Sequence, residues 1–344
     1  MKISNFISKA TIFLFSLLSI TLVSCTPSST EPAVTTPPPT QNSINGVLGN
    51  TGALNLVAID TAKIVKMTET GTSPVIVLNR KLNQNSYISD FCFKTDGTKF
   101  IYVEQQLSGI VPNLIKTVKL KIANLDGSND TDLFTAQNAL QGSSITSIRY
   151  CTDGKIFFGY KMYTSSGNAS SFSYHTINAD GTGDSTTTLA FGELEDVSNS
   201  RRFYIQNGVY PNATNRTTIY DTTLDNGAGT LLQENFSTTA QIGPGSFTDD
   251  NKYAVIPFKE ANEIKLKIID LATKLVTIKT ILSGLTSGYV SFRFNMASDS
   301  VRGVLTITGQ NYLKSKSYVF NTNTGVTSAP FDNNDGNVLN VFPY

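Results

Sequence analysis

The chain has 344 residues, 40% of them apolar, which is enough for one large domain or two small ones. It carries 27 basic and 26 acidic residues, one histidine and no tryptophan, for a net charge of +1. A near-neutral chain without a Lys/Arg run lacks the electrostatic footprint of a nucleic-acid binder, and a single histidine argues against zinc.

The first segment, "MKISNFISKATIFLFSLLSITLVSC", has two early lysines and an apolar run from Ala10 to Val23. That run is short of the roughly 20 residues a membrane-spanning helix needs, and it suits the apolar core of an export signal. Leu22-Val23-Ser24-Cys25 resembles a bacterial lipobox. The resemblance implies cleavage before Cys25, acylation of its thiol and stable anchoring through several acyl chains. Residues 1–24 are therefore expected as a lipoprotein signal peptide, and Thr26 after the cysteine implies the outer membrane. Removing that segment with Lys2 and Lys9 leaves 25 basic residues against 26 acidic, a mature charge of −1. Residues 25–43 are rich in Pro, Ser and Thr; with Pro37-Pro38-Pro39 they read as a stiffened tether that cannot bury a core.

From residue 44 onward one pattern recurs. "FKTDGTKFIYV" (93–103) returns as "YCTDGKIFFGY" from Tyr150 and "FTDDNKYAVIP" from Phe247. Looser copies open at Leu48, Val197 and Phe294, so the leading apolar positions fall about 50 residues apart. A sustained period of this size marks a repeat architecture. Each copy continues with a second hairpin whose turn carries Gly71, Asp126-Gly127, Asp180-Gly181, Asn226-Gly227 or Gly325, with Ala272-Thr273 as the exception. Asp-Gly and Asn-Gly between alternating runs are hairpin signals, because glycine accepts the positive φ of such turns. Four antiparallel strands per copy predict an all-β fold, a six-bladed β-propeller over residues 44–344. The last segment, "NVLNVFPY" (337–344), is available to add a strand to the first blade.

"FKTDGTKFIYV", "FTDDNKYAV" and the second-half turn "NLDGSND" resemble the TolB/PD40 type of WD40-like propeller repeat over residues 44–332. The resemblance implies the blade and not the job. The chain lacks the proline of that motif throughout, and only a tether is expected ahead of blade one where TolB has a small α/β domain.

The propeller geometry sorts candidate sites. Tight Asp-Gly turns lie on one face, and the long loops between second and third strands lie on the other, where binding residues usually sit. Tyr163, Tyr210, Tyr312 and Leu114 are the candidate anchors of that face, against the alternative that they pack locally. Asp90, Arg149, Asp196 and Arg293 precede the leading apolar positions on innermost strands and are expected in the central channel. Arg149 and Asp196 hold equivalent places in adjacent blades and are expected to pair.

Catalytic chemistry is poorly represented. His175, in "SFSYHTIN", is expected as a partly exposed strand residue and not as the base of a Ser-His-Asp set. "NADGTGD" (178–184) and "DNNDGN" (332–337) are suggestive of calcium but read better as turns. Glu193, Glu195 and Asp196 could serve a glycosidase only if they converge. No cofactor is expected, Cys92 and Cys151 are expected as buried free thiols, and the chain is expected to be a monomer. The function expected is an envelope lipoprotein whose propeller binds or scaffolds a protein partner; a glycan-binding module, or a carboxylate- or calcium-dependent glycan hydrolase or lyase at the channel mouth, are the alternatives.

Overall fold

The computed structural model describes residues 55–343, apart from 61–62, 69–74, 80–85, 95, 109–114, 141, 164–168, 188–192, 210–214, 226–228, 286–288, 310–314 and 333–337. The signal segment, Cys25, the tether, Leu114, Tyr210 and Tyr312 lie outside the described residues.

The recurring stretch is a turn with two chemical requirements. Its third residue reaches forward with a side-chain oxygen: Asp96 Oδ1 accepts the N–H of Thr98 at 2.9 Å, Asp250 Oδ1 that of Lys252 at 3.1 Å, and Asp299 Oδ1 that of Val301 at 2.9 Å. Its fourth residue takes a positive φ and closes the turn onto the first. Gly97 (67°) and Gly154 (81°) do this at no steric cost, while Arg201, Asn251 and Ser300 hold the same place at 57–59°. Asp-Gly at 96–97 and 153–154 thus supplies both requirements of the turn between the first and second strands of a blade, and Asp250-Asn251 and Asp299-Ser300 do so with a non-glycine residue at positive φ.

These turns join strands into six antiparallel sheets, and no α-helix occurs among the described residues. Five sheets have the expected four strands. One runs through Ser86–Phe93, Lys99–Ser108, Ile115–Asn124 and Thr131–Leu140. The next holds Ser144–Tyr150, Lys155–Tyr163, Ala169–Asn178 and Ser185–Thr187. Asp196–Val197, Phe203–Val209, Asn215–Asp221 and Gly229–Asn235 make another. Tyr289–Met296, Arg302–Gly309, Ser315–Asn321 and Phe331–Asp332 form the last in chain order.

The remaining two sheets depart from the plain repeat. Ahead of Tyr253–Glu260, Glu263–Asp270 and Val276–Leu282, the inner strand is split into Gln241–Ile242 and Ser246–Phe247, giving five strands where four were expected. Gly243, Pro244 and Gly245 face only Ile256 and Pro257 on the partner strand, so the inner strand bulges where proline cannot donate to the ladder. In the first blade, Asn55–Asp60, Lys63–Thr68 and Val75–Asn79 are completed by Val338–Pro343 at the far end of the chain, paired Leu56↔Pro343 through Asp60↔Val338. The copy that opens at Leu48 thus supplies the second strand of its blade, and the C-terminal strand closes the ring.

Alternation along each strand sends one face toward each neighbouring blade, so the core is a series of apolar seams and not one central mass. One seam packs Ile101, Val103 and Leu120 against Ile145, Ile156 and Phe158 of the next blade. Another joins Ile205 and Ile219 to Ala254 and Ile256. At roughly 1.5–3 kcal/mol per fully buried large side chain, these seams are the main favourable term. Polar links then tie successive turns: Thr152 N–H donates to Asn199 O at 2.9 Å, Asn199 Nδ2 to Asp249 O at 2.7 Å, and Asp250 N–H to Ser300 Oγ at 3.2 Å.

Candidate functional site: the central channel

The inner strands enclose a cavity of about 320 Å³, and Asp90, Arg149, Asp196 and Arg293 all line it. The repeat register placed them there: each stands one or three residues ahead of its leading apolar position, on the face opposite the seam side chain. Arg149 Nη2 meets Asp196 Oδ2 at 3.0 Å, the pairing expected between adjacent blades. Arg293 Nη2 meets Asp90 Oδ1 at 3.3 Å, joining the last blade to the second across the first.

Arg149 does more than pair once. It donates through Nε to Val197 O at 2.9 Å and through Nη2 to Phe247 O at 3.0 Å, and its Nη1 lies 3.4 Å from Asp249 Oδ1. One guanidinium therefore spans three consecutive blades. Asp196 is likewise committed on its other side, accepting the Phe247 N–H at 2.9 Å. Burial works against the Arg149 charge, but Asp196 and Asp249 outweigh it and hold the proton more firmly than usual. For Asp196, burial raises the proton affinity, while Arg149 and the Phe247 and Val197 amides pull it back.

Four charged cavity residues were not anticipated as channel charges: Lys94 and Asp96, which pair with each other, together with Asp249 and Glu195. Asp249 sits on a turn and not on a strand, and Glu195 precedes the short strand Asp196–Val197. The Glu195 carboxylate has no hydrogen-bond or ion-pair partner among the described residues. Burial and the nearby Glu193 raise its proton affinity, and Arg293 opposes them. Glu195 also borders a second depression on the long-loop side, lined by Asn207, Asn215 and Gln241. Of the three acids considered for glycosidic chemistry, Glu193 pairs with Lys161 at 2.6 Å and Asp196 with Arg149 at 3.0 Å, and both lie near enough to Glu195 to raise its proton affinity.

Among the described residues, no three His, Cys, Asp or Glu side chains gather as metal ligands. In "NADGTGD", Asp180 Oδ1 accepts the Thr182 N–H at 2.9 Å as a turn cap, and residues 333–337 of the second acidic stretch lie outside the description. Cys92 and Cys151 are free; Cys151 is buried, while Cys92 is half-buried at the cavity wall, less enclosed than expected. Burial pushes the Cys92 thiol up to about 12 and the Cys151 thiol up to about 11, so neither is a ready nucleophile.

On the long-loop side only Tyr163 of the four candidate anchors is described. It is half-buried, its ring rests against Gly142, where a Cβ would come within 2.7 Å, and Lys161 Nζ lies 5.5 Å from the ring centroid. His175 is buried, correcting the partly exposed strand residue expected. It also stands between Ser173 and Asp184, a grouping that the sequence reading passed over.

No protein-family model and no curated protein matches the chain. Solved structures do. TolB from Acinetobacter baumannii is 15% identical over 87% of this chain and 68% of that one, with a TM-score of 0.55. The fold is TolB-like. A chain of a nidogen/laminin complex aligns at 11% identity over 84% of this chain and 98% of its own, with a TM-score of 0.53. The periplasmic gluconolactonase of Pseudomonas aeruginosa aligns at 10% identity over 85% and 99%, with a TM-score of 0.51. At these identities the likeness concerns the fold. No helix among the described residues is long and apolar enough to cross a membrane.

Proposed function

We propose that this TolB-like propeller is a non-catalytic binding module, held at the cell envelope and engaging a protein partner. The observation that carries the reading is how the channel charges are spent. Arg149, Asp196 and Asp249 are tied into one cross-blade network, and Arg293 and Asp90 into another. Groups committed to fixing blades against each other are poor general acids or bases, since catalysis needs a group free to gain and lose a proton. Outside both networks the cavity holds Glu195 and Asp96, the latter bound to Lys94, and hydrolysis of a glycosidic bond takes two carboxylates.

The rest of the proposal follows the sequence. Cys25 carries the lipid anchor after removal of residues 1–24, residues 25–43 hold the propeller off an outer membrane, and the long-loop face with Tyr163, Leu114, Tyr210 and Tyr312 meets the partner. One fold neighbour supports a protein as the partner class, since it belongs to a complex of nidogen with laminin.

The test immobilises the chain from Thr26 onward and exposes it to detergent-solubilised envelope of the native cell. A paired column carries Tyr163→Ala, Tyr210→Ala and Tyr312→Ala together. A protein retained near one-to-one on the first column and lost on the second is expected. Retention of no protein on either column rejects the reading and moves the glycan-binding alternative forward.

A further inference from the structure

A second constellation lies well away from the channel, in the cleft between the second and third blades. Ser173 and His175 are two residues apart on the strand Ala169–Asn178, so their side chains share one face. Ser173 Oγ lies 3.0 Å from His175 Nε2. Asp184, just beyond the hairpin turn, places Oδ1 at 3.0 Å and Oδ2 at 3.3 Å from His175 Nδ1. A carboxylate at Nδ1 selects the tautomer with its proton there, which leaves the Nε2 lone pair facing the serine hydroxyl.

The ring cannot drift from this alignment. It stacks on Phe158 at 4.8 Å between centroids and 9° between planes, with Phe134 of the neighbouring blade 5.1 Å from both rings, and it is 8% exposed. Ser173 is half-buried, Ser171 on the same face is exposed, and the Ser173 cross-strand neighbour is Tyr160. The half-buried serine has the base beside it and an aromatic wall of Tyr160 and Phe134 alongside.

We propose that Ser173, His175 and Asp184 form an acyl-transfer site for small esters, an activity separate from the binding function of the long-loop face and outside the non-catalytic reading above, which rests on the channel charges alone. Ser173 Oγ bonds to the ester carbonyl carbon as its proton passes to His175 Nε2. The bond from that carbon to the alcohol oxygen then breaks, and the proton moves from Nε2 to the departing alkoxide. Water, deprotonated by the same nitrogen, releases the acyl group as a carboxylic acid and restores the serine. Asp184 is a positioning residue: it holds the imidazole and balances its charge during transfer.

The test reads the covalent step directly. The full chain is treated with a fluorophosphonate, whose phosphorus takes the place of the carbonyl carbon and whose fluoride leaves, and is followed by intact mass and peptide mapping. One adduct on Ser173 is expected on the folded protein and none after heat unfolding. His175→Asn slows its formation by about 100-fold or more. Asp184 is 37% exposed, so Asp184→Asn leaves the melting temperature in place; it slows labelling about tenfold, and Asp184→Glu restores most of the rate. An absent adduct, an adduct on other serines at the same rate, or a rate indifferent to Asp184→Asn overturns the proposal.

Discussion

Replacing Arg149 by methionine separates a channel built to hold the ring together from one built around loosely held charges. The substitution keeps the stem and removes the guanidinium, leaving the Asp196 and Asp249 carboxylates and the Val197 and Phe247 carbonyls without their donor. The Arg149 and Asp196 side chains are 16% and 13% exposed, so water can only partly replace the lost partner. Removing one member of a buried pair costs about 3–5 kcal/mol. The Phe247 N–H still donates to Asp196, which favours the lower half of that range. In a domain of this size about 3 kcal/mol lowers the melting temperature by roughly 6–12 °C.

The cost should also depend on pH, with a definite sign. Burial already raises the proton affinity of Asp196, and Arg149 is the largest opposing influence. Without it the folded-state pKa rises further above the unfolded value of about 3.9. A carboxyl raised in the folded state costs nothing below its unfolded pKa, and its penalty grows as pH climbs toward the folded one. Urea unfolding of wild type and variant at pH 5 and pH 8 measures both terms, and the variant should lose more at pH 8. Adding Asp196→Asn, which keeps an acceptor for the Phe247 amide, should recover at least half of the loss at pH 8. A loss below about 1 kcal/mol, or an equal loss at both pH values, refutes the view of Arg149 as a cross-blade clasp.

Three further outcomes follow from the same geometry. Arg202, hydrogen-bonded to the buried Asp221 at 3.0 and 2.8 Å, holds that carboxyl down to about 2. Its stabilisation is present above the unfolded pKa near 3.9 and is lost as pH falls through about 2, so Arg202→Ala should move acid unfolding to higher pH, read by far-UV circular dichroism. Lys274 is an exposed residue at a φ of 62°, in the one second-half turn that lacks glycine or asparagine. Lys274→Gly should raise stability by about 0.5–1 kcal/mol, since the strain relieved exceeds the added chain entropy. Ending the chain before Val338 strips the first blade of its inner strand, and calorimetry should show loss of a single cooperative transition or a fall of at least about 3 kcal/mol in stability.

The architecture was legible because each copy had to write the same local chemistry. An Asx cap and a left-handed residue are needed at every reversal, so Asp-Gly, or a substitute that tolerates positive φ, recurs at the blade period. The four channel residues were legible for a related reason: a charge ahead of an inner strand's seam residue has only the central cavity to face. What the pattern hides are features set by registration between copies. Asp249 enters the channel from a turn, so a search along strands misses it, and Gly243-Pro244-Gly245 reads as a linker although Gln241–Ile242 before it pairs as strand. His175 was isolated in sequence terms because its carboxylate partner is nine residues away across a hairpin. Placing Ser185 opposite Thr176 in that hairpin would have brought Asp184 alongside.

The two channel networks also explain why so few charges suffice. Arg149 reaches from the third blade to the fourth and fifth, and Arg293 from the sixth to the second, so between them they touch every blade except the one closed by the chain's own two ends. A ring of repeating blades joined by apolar seams can open at a single seam. Guanidinium groups that span more than one seam make opening at one place break contacts at the next. The first blade needs no such clasp, since its inner strand comes from the far end of the chain and cannot leave without unpairing five residues from Leu56 to Asp60. Ring closure is thus distributed between backbone pairing in one blade and side-chain charge in the other five, and the Arg149→Met variant and the truncation before Val338 should each weaken the whole ring.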